Sequence, residues 1–375
     1  MPIIPLSLYI HMPWCVQKCP YCDFNSHNIK QQPNYANYIN HLLADFDHDL
    51  PLINNRKIHS IFIGGGTPSL FSATLIDLLL TQIRERVPFE DEVEITLEAN
   101  PNSADADYFS GYQQAGINRI SIGAQSFQAD KLQSLGRIHN PNEAIYAAEI
   151  ANSLNLRSFN LDLMHGLPNQ TQQDALFDLE QAIALNPPHL SWYQLTIEPN
   201  TLFGSKPPIL PDEELLWEIY QQGHQLLAKN GYQQYETSAY AKVNMQCQHN
   251  INYWQFGDYL GIGCGAHGKL TQANGDILRT VKTRHPKGYM ESRYLEKSYI
   301  VPKDELPFEF FMNQFRLFAP TPKARFVERT GLSLNCIEQP IYQALQQAYI
   351  TEDEQFWQLT DKGKLFLNSL LTLFL

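Results

Sequence analysis

Cys15, Cys19 and Cys22 stand in a CxxxCxxC spacing, Cys15-Val16-Gln17-Lys18-Cys19-Pro20-Tyr21-Cys22, directly after an apolar run. On one compact loop this spacing lets three thiolates converge on a small object. Soft thiolates suit zinc, Cu(I) or an iron–sulfur cluster. A structural zinc site closes with four ligands, and a fully held [4Fe–4S] cluster also takes four cysteines. The motif offers three, and Cys247, Cys264 and Cys336 lie far downstream. Three thiolates on a cluster leave one iron open to a small ligand. On spacing alone two other readings stand beside this one: a zinc knuckle completed by His11 or His27, and a set of buried thiols.

More polar residues fall where apolar runs end. Glu98, Gln125 and Asp162 each follow such a run, and Arg137 lies in the connection after the fourth. Gly64-Gly65-Gly66-Thr67-Pro68 follows the second. Glycines without Cβ atoms let backbone N–H groups approach a ligand closely. Taken singly, each carboxylate also reads as a turn former or helix cap, and a triple-glycine turn is weak evidence.

These residues need a frame. Short apolar runs at 6–11, 58–63, 93–97, 119–123, 158–163 and 190–197 alternate with helical periodicity at 34–50, after Ser72 as N-cap, and at 104–115, 143–154, 171–185 and 212–230. Strand–helix alternation predicts a parallel sheet with helices outside and right-handed crossovers. Six β–α units do not close an eight-stranded barrel, so the fold class is α/β, an open partial (β/α)6 barrel. In such folds the C-terminal strand ends carry the site, which places the cysteine loop, the glycine turn and the polar strand ends on one side.

Residues 235–302 read as less regular, with the glycine-rich Gly261-Ile262-Gly263-Cys264-Gly265-Ala266-His267-Gly268. Helical patterns at 308–318, 324–330 and 337–348, a ribbon at 349–358 and a last helix at 362–374 then suggest a C-terminal, mainly helical winged-helix-like domain; a helical lid on the barrel is the other reading. The expected division is a core at 1–234, a connecting region at 235–304 and a C-terminal domain at 305–375.

Composition narrows the function classes. Hydrophobic residues at 43% and charged residues at 18% describe a folded chain. The net charge of −12 argues against tracking nucleic-acid phosphates. Six cysteines in 375 residues do not make a secreted disulfide scaffold. The first residues lack a basic leader, and no apolar run reaches the length of a bilayer span. The expectation is a cytoplasmic protein with at most a peripheral membrane contact, at the apolar tail 365–375.

The cysteine motif, the GGGTP turn and Glu98 together resemble the radical S-adenosylmethionine superfamily. Tyr9-Ile10-His11-Met12-Pro13-Trp14-Cys15, Ile120-Ser121-Ile122-Gly123-Ala124-Gln125-Ser126-Phe127 and Asn160-Leu161-Asp162-Leu163-Met164-His165-Gly166-Leu167-Pro168 resemble, more closely, the group containing oxygen-independent coproporphyrinogen III oxidase and the HemW-type heme chaperones. The likeness runs through nearly the whole chain. It leans to the chaperones. The oxidase pattern has a fourth cysteine where this chain has Phe24, and a longer segment before its cluster than the fourteen residues preceding Cys15. His249-Asn250-Ile251-Asn252-Tyr253-Trp254 matches the chaperones' HNxxYW signature.

The resemblance implies a [4Fe–4S] cluster on Cys15, Cys19 and Cys22. It implies S-adenosylmethionine near Tyr9, Tyr21, Gly65, Gly66, Thr67 and Glu98. Gln125, Arg137 and Asp162 match positions that contact a second such molecule in the oxidase, and Thr196 falls nearby. The implied role is a chaperone that takes up heme and passes it to apo-hemoproteins, respiratory ones by analogy. Coproporphyrinogen III decarboxylation, in porphyrin biosynthesis, is the enzymatic alternative, and a radical enzyme acting on RNA the third. Neutral imidazole is a good iron ligand and aromatic rings pack on porphyrins. His249, with Tyr253 and Trp254, is therefore the expected heme contact, provided the segment is helical. His267 and Cys247 are the alternative ligands, and a capped turn around a hydrogen-bonded His249 is the plainer reading of the same residues.

Overall fold

The computed structural model describes residues 4–103 and 106–375. Six strands, β1 (Leu6–Met12), β2 (Ile58–Gly65), β3 (Phe89–Ala99), β4 (Arg119–Gln125), β5 (Ser158–His165) and β6 (His189–Gln194), lie side by side in chain order, all parallel. Helices α1 (Tyr35–Asp49), α2 (Ala73–Arg86), α3 (Ala106–Gln114), α4 (Pro141–Ser153), α5 (Gln172–Ala184) and α6 (Glu213–Lys229) follow the successive strands. The start expected for α3 at 104 lies outside the described residues. The caps explain the other starts. Ser72 accepts from Leu75 N, and Asn140 and Thr171 each form a capping box with the residue three positions on.

Each strand alternates. Leu8, Ile10, Ile61, Ile63, Leu97, Ile120, Ile122, Leu161 and Leu163 are buried in the main core. The alternate positions are polar and bond to one another across strands: Ser7 with Ser60 at 2.7 Å, Asn160 with Ser121 at 2.8 Å, His189 with Asn160 at 2.7 Å. Period-two alternation thus sets an apolar face against the helices and a polar lining inside the curve.

The sheet does not end with the sixth strand. β7 (Gln233–Glu236) and β8 (Ala239–Ala241) add antiparallel strands beyond β6. β9 (Asp258–Ile262) pairs parallel with β1 on its other side, and β10 (His267–Thr271), β11 (Ile277–Lys282) and β12 (Leu295–Ile300) continue antiparallel. The result is a twelve-stranded open sheet among the described residues. The region expected to be irregular therefore supplies both edges, and the expected boundary at 234 falls inside β7. These strands are short, β9 and β10 carry glycines, and β9 is buried at every position, so it shows no alternation.

Between the two edges the chain forms α7 (Gln248–Trp254) across the N-terminal strand ends. Asn252 Nδ2 donates to Ser7 Oγ at 2.8 Å and to Asp258 O at 3.0 Å. Buried charge ties the β9–β11 edge to the rest. Lys282 Nζ sits 2.5 Å from Asp45 Oδ1 and 2.6 Å from Asp49 Oδ2, joining β11 to α1.

The C-terminal part has helices α8 (Leu306–Gln314), α9 (Lys323–Thr330) and α10 (Glu338–Gln346) and a three-stranded sheet of β13 (Thr321–Pro322), β14 (Ile350–Glu352) and β15 (Phe356–Leu359), with β15 central. Its aromatic core of Phe310, Phe311, Phe315, Phe326, Trp357 and Phe374 extends onto Phe256, Ile277 and Val301 of the preceding region. The last helix expected at 362–374 breaks at Phe366 into Asp361–Leu365, Leu367–Leu371 and a 3-10 turn. Leu370, Leu371 and Phe374 of the apolar tail face this core. Among the described residues no helix is long and apolar enough to cross a membrane.

Candidate functional site

A cavity of about 420 Å³ opens at the C-terminal strand ends. Cys15, Cys19, Cys22 and Tyr21 line it from the loop after β1, Gly65, Gly66 and Thr67 from the turn after β2, and Glu98 from the end of β3. Gln125, Arg137, Asp162 and Thr196 line its other side. Tyr9 is not among the lining residues. Its hydroxyl meets His11 Nδ1 at 2.9 Å and its ring lies against Phe62, below the glycine turn.

The cysteine loop is braced from several directions. Trp14–Cys15 pairs with His27–Asn28, and Lys18 N donates to Asn28 Oδ1 at 2.6 Å. Asn25 Nδ2 donates to Cys264 O and Arg284 O, both at 3.0 Å. All three cysteines are free thiols. Burial pushes the Cys15 and Cys22 thiols up, while Arg137 Nη1 lies 3.6 Å from Cys19 Sγ. Iron bound to the sulfurs would displace their protons, as a coordinated metal does.

The zinc-knuckle reading loses its fourth ligand. His11 Nε2 donates to Asn25 O at 2.9 Å, its other nitrogen is taken by Tyr9, and burial drives its pKa down to about 4. His27 Nε2 donates to Arg284 O at 3.2 Å. Among the described residues no three His, Cys, Asp or Glu side chains converge as they would on one ion. The three thiols share one cavity, and an iron–sulfur cluster would take each sulfur on a separate iron.

The glycine turn is a cradle that a Cβ would fill. Gly65 has φ +111°, and a Cβ there would lie 2.5 Å from the His11 ring; at Gly66 it would lie 2.5 Å from Trp14 O. Gly65 N donates to Glu98 Oε2 at 3.0 Å. Glu98 is pushed up to about 8, by burial first and by the nearby Asp162 charge second. Burial also raises Asp162, against the bonds from Asn160 and Ser121. Two carboxyls on one cavity wall suit a cationic ligand, which would restore the ionised forms.

A pH dependence follows. Between about 4.5 and 8 the folded chain holds a proton on Glu98 that the unfolded chain releases, so stability falls as pH rises through that window. Thermal melts of the ligand-free protein should show this decline, and Glu98→Gln should flatten it. An unchanged slope in the variant would exclude Glu98 as its source.

Sequence reasoning did not single out several lining residues, Asn100, Ser121 and Tyr193 among them. Asn100 Oδ1 accepts from Arg137 Nη2 at 3.0 Å and Tyr193 OH donates to Gln125 Oε1 at 2.9 Å, so these residues orient groups that the sequence had singled out. The signal was present. Asn100 closes Glu98-Ala99-Asn100-Pro101, and Ser121 and Tyr193 occupy inward positions of β4 and β6.

The HNxxYW segment is helical, as the heme reading required, but it lies at the opposite end of the barrel. His249 is 7% exposed. Its Nδ1 lies 3.1 Å from Ser60 Oγ, its N–H donates to Glu94 Oε1, and burial lowers its pKa to about 3. Tyr253 packs on Tyr259, and Arg316 covers Trp254. Tyr253 also meets Trp254 edge-on at 5.0 Å, while the His249 ring lies 5.2 Å from Phe62. His249 is thus held in a hydrogen-bonded helical turn at the base of the barrel. Cys247 Sγ donates to Glu94, and burial raises it to about 12. His267 is exposed at the start of β10.

Comparison with known proteins agrees with this geometry. The Radical SAM superfamily model matches residues 9–182, and the HemN C-terminal domain model residues 301–366. A heme chaperone HemW from Escherichia coli is 61% identical over 371 residues, covering 99% of this chain and 98% of its own. One from Haemophilus influenzae is 62% identical over 375 residues with the same coverage, and one from Bacillus subtilis 33% over 379. Among solved structures, the coproporphyrinogen III oxidase HemN of Escherichia coli superposes with a TM-score of 0.85 over 100% of this chain and 91% of that one, at 22% identity. That likeness shows the fold, a partial barrel of the radical S-adenosylmethionine type.

Proposed function

Because this chain belongs to the HemW family within the radical S-adenosylmethionine proteins, we propose that it is a heme chaperone of the cytoplasm. It takes up heme and passes it to apo-hemoproteins, respiratory enzymes among them. Cys15, Cys19 and Cys22 would hold a [4Fe–4S] cluster at the cavity mouth. S-adenosylmethionine would lie against Gly65, Gly66, Thr67 and Glu98, with Tyr21 beside the cluster loop and Tyr9 supporting the floor through His11. When bound, the reduced cluster supplies the electron for reductive cleavage of S-adenosylmethionine in this superfamily. The chain's own part is to hold and shield. Gly65 and Gly66 keep the backbone close to the ligand, Glu98 and Asp162 face its positive charge, and Arg137 fixes the wall through Gly123 O and Asn100. Gln125 and Asp162 would bound the inner part of the cavity. Residues 235–304, which frame the sheet on both edges, are proposed to carry the heme-handling role.

The observation that carries this reading is the joint lining of one cavity by the three free thiols, the glycine turn and Glu98, in a chain so close to the HemW proteins along its whole length. The oxidase alternative shares the fold, but Phe24, 60% exposed at the cavity edge, stands where that enzyme's pattern has its fourth cysteine. Anaerobic cluster reconstitution, heme titration and product analysis separate the two. The expected result is a saturable change in the heme spectrum and no protoporphyrinogen IX from coproporphyrinogen III. Formation of that product would restore the enzyme, and absence of saturable heme binding would end the carrier reading.

A further inference from the structure

An unbroken row of buried hydrogen bonds runs through the barrel interior, from the cavity to α7. At the cavity, Asp162 accepts from Ser121 Oγ at 3.1 Å and from Asn160 Nδ2 at 2.8 Å. Asn160 Oδ1 meets His189 Nδ1 at 2.7 Å, and His189 Nε2 meets Tyr235 OH at 2.8 Å. The Tyr235 hydroxyl in turn accepts from Cys247 N at 3.4 Å. Cys247 is the N-cap of α7, the helix of the HNxxYW residues. Asn160, His189, Tyr235 and Cys247 are all buried.

The chemistry of its members gives the row one direction. An ionised carboxylate only accepts, so Asp162 takes an Asn160 amide N–H, and the other amide N–H goes to Ser121 Oγ at 2.8 Å. The Asn160 carbonyl oxygen therefore faces His189, which must carry its proton on Nδ1. Burial holds the His189 pKa well below the usual range. The neutral ring then has a bare Nε2, which accepts the Tyr235 hydroxyl proton. Every donor points from α7 toward Asp162. Protonation of Asp162 ends that order, because the acid brings a donor of its own, and burial favours the protonated form. The other charges around Asp162 are Glu98 in the cavity and Arg119 on β4, of opposite sign.

We propose that this row couples the two ends of the barrel, with His189 and Tyr235 as positioning residues, so that a cationic ligand against Asp162 tightens the hold on α7. This rests on the reading of the cavity as the S-adenosylmethionine site. The ligand keeps Asp162 ionised, and a hydrogen bond to a charged acceptor is about twice as strong as a neutral one. Bonds in a chain polarise one another, so the gain reaches the far end. There it holds the first turn of the region assigned to heme handling. Glu94 Oε1, which accepts from His249 N, and Ser60 Oγ at His249 Nδ1 hold α7 from other strands and give it a grip that does not depend on the cavity.

The test is hydrogen–deuterium exchange at the amides of α7 in the full-length, cluster-loaded protein, with and without S-adenosylmethionine, whose binding is followed by calorimetry. The ligand should slow exchange there about fivefold or more in the wild type. Tyr235→Phe removes one hydroxyl and keeps the ring, and His189→Leu removes both ring nitrogens. Each should abolish the slowing while S-adenosylmethionine still binds and a thermal melt shows the fold intact. Ser60→Ala takes away a bond outside the row, so it should speed basal exchange and keep the ligand effect. Binding without slowing in the wild type overturns the row and leaves the cavity reading standing. Slowing that persists in whichever of Tyr235→Phe and His189→Leu folds, or that is lost equally in Ser60→Ala, also overturns it. No binding of S-adenosylmethionine by the wild type overturns the row and the cavity reading together.

Discussion

Cys19→Ala is expected to remove the iron–sulfur cluster outright. Reconstituted wild-type protein should hold about four irons per chain and the variant almost none. The fold should survive, because Cys19 is partly exposed and the β2–β3 wall of the cavity does not depend on it. Iron and sulfide analysis with visible absorbance checks the first statement, and a thermal melt the second. The effect is large because the cavity offers no substitute. His11 has both nitrogens engaged, His27 faces Arg284, and Cys264 Sγ donates to Arg284 O at 2.9 Å. Stoichiometric zinc with no cluster absorbance in the wild type would sink the assignment.

Gly66→Val should abolish S-adenosylmethionine binding. A Cβ at this position meets Trp14 O at 2.5 Å and Met12 O at 2.8 Å. Both are main-chain atoms already in use. Met12 O accepts from Gly66 N at 2.6 Å and Trp14 O from Thr67 N at 2.8 Å. No rotamer relieves the overlap, so the turn must move away from the cysteine loop. The cost should be roughly 3 kcal/mol or more, at the upper end for single substitutions, with binding undetectable by calorimetry. Gly116→Ala is the control. It too has positive φ, at +103°, but its Cβ meets nothing within 4 Å, so it should cost stability alone. Wild-type affinity in Gly66→Val would remove the glycine turn from the ligand site.

The central strands and the cavity were legible because both are written locally. Alternation in β1 to β6, the cap at Ser72, and polar residues at strand ends need no knowledge of distant partners. What escaped was written at long range. β9 is five buried residues whose only signal is its pairing with β1, 252 positions earlier by the Leu6–Asp258 register. His249 was singled out through the HNxxYW signature, and its burial against Ser60 and Glu94 depends on residues that sequence distance hides. Asn100 and Tyr193 are a milder case, since they act through Arg137 and Gln125 rather than standing alone at a conspicuous motif.

The position of β1 between β2 and β9 has a consequence for biosynthesis. The first strand made is also among the last to be completed on both sides. At translation rates of roughly 5–20 residues per second, about 10 to 50 s pass between synthesis of β1 and of its second neighbour. Throughout that interval one edge of β1 is open, and an open strand edge is a template for joining another chain. The loop that follows it is in the same position, because the Asn25 bond to Cys264 spans 239 residues. A nascent chain therefore presents its three cysteines on an unbraced loop until its last third is made, and iron delivered before then would meet flexible thiols rather than a formed mouth. Cluster assembly on this fold belongs after β9 and Cys264 have been made, and a chaperone that shields nascent strand edges acts upstream of it.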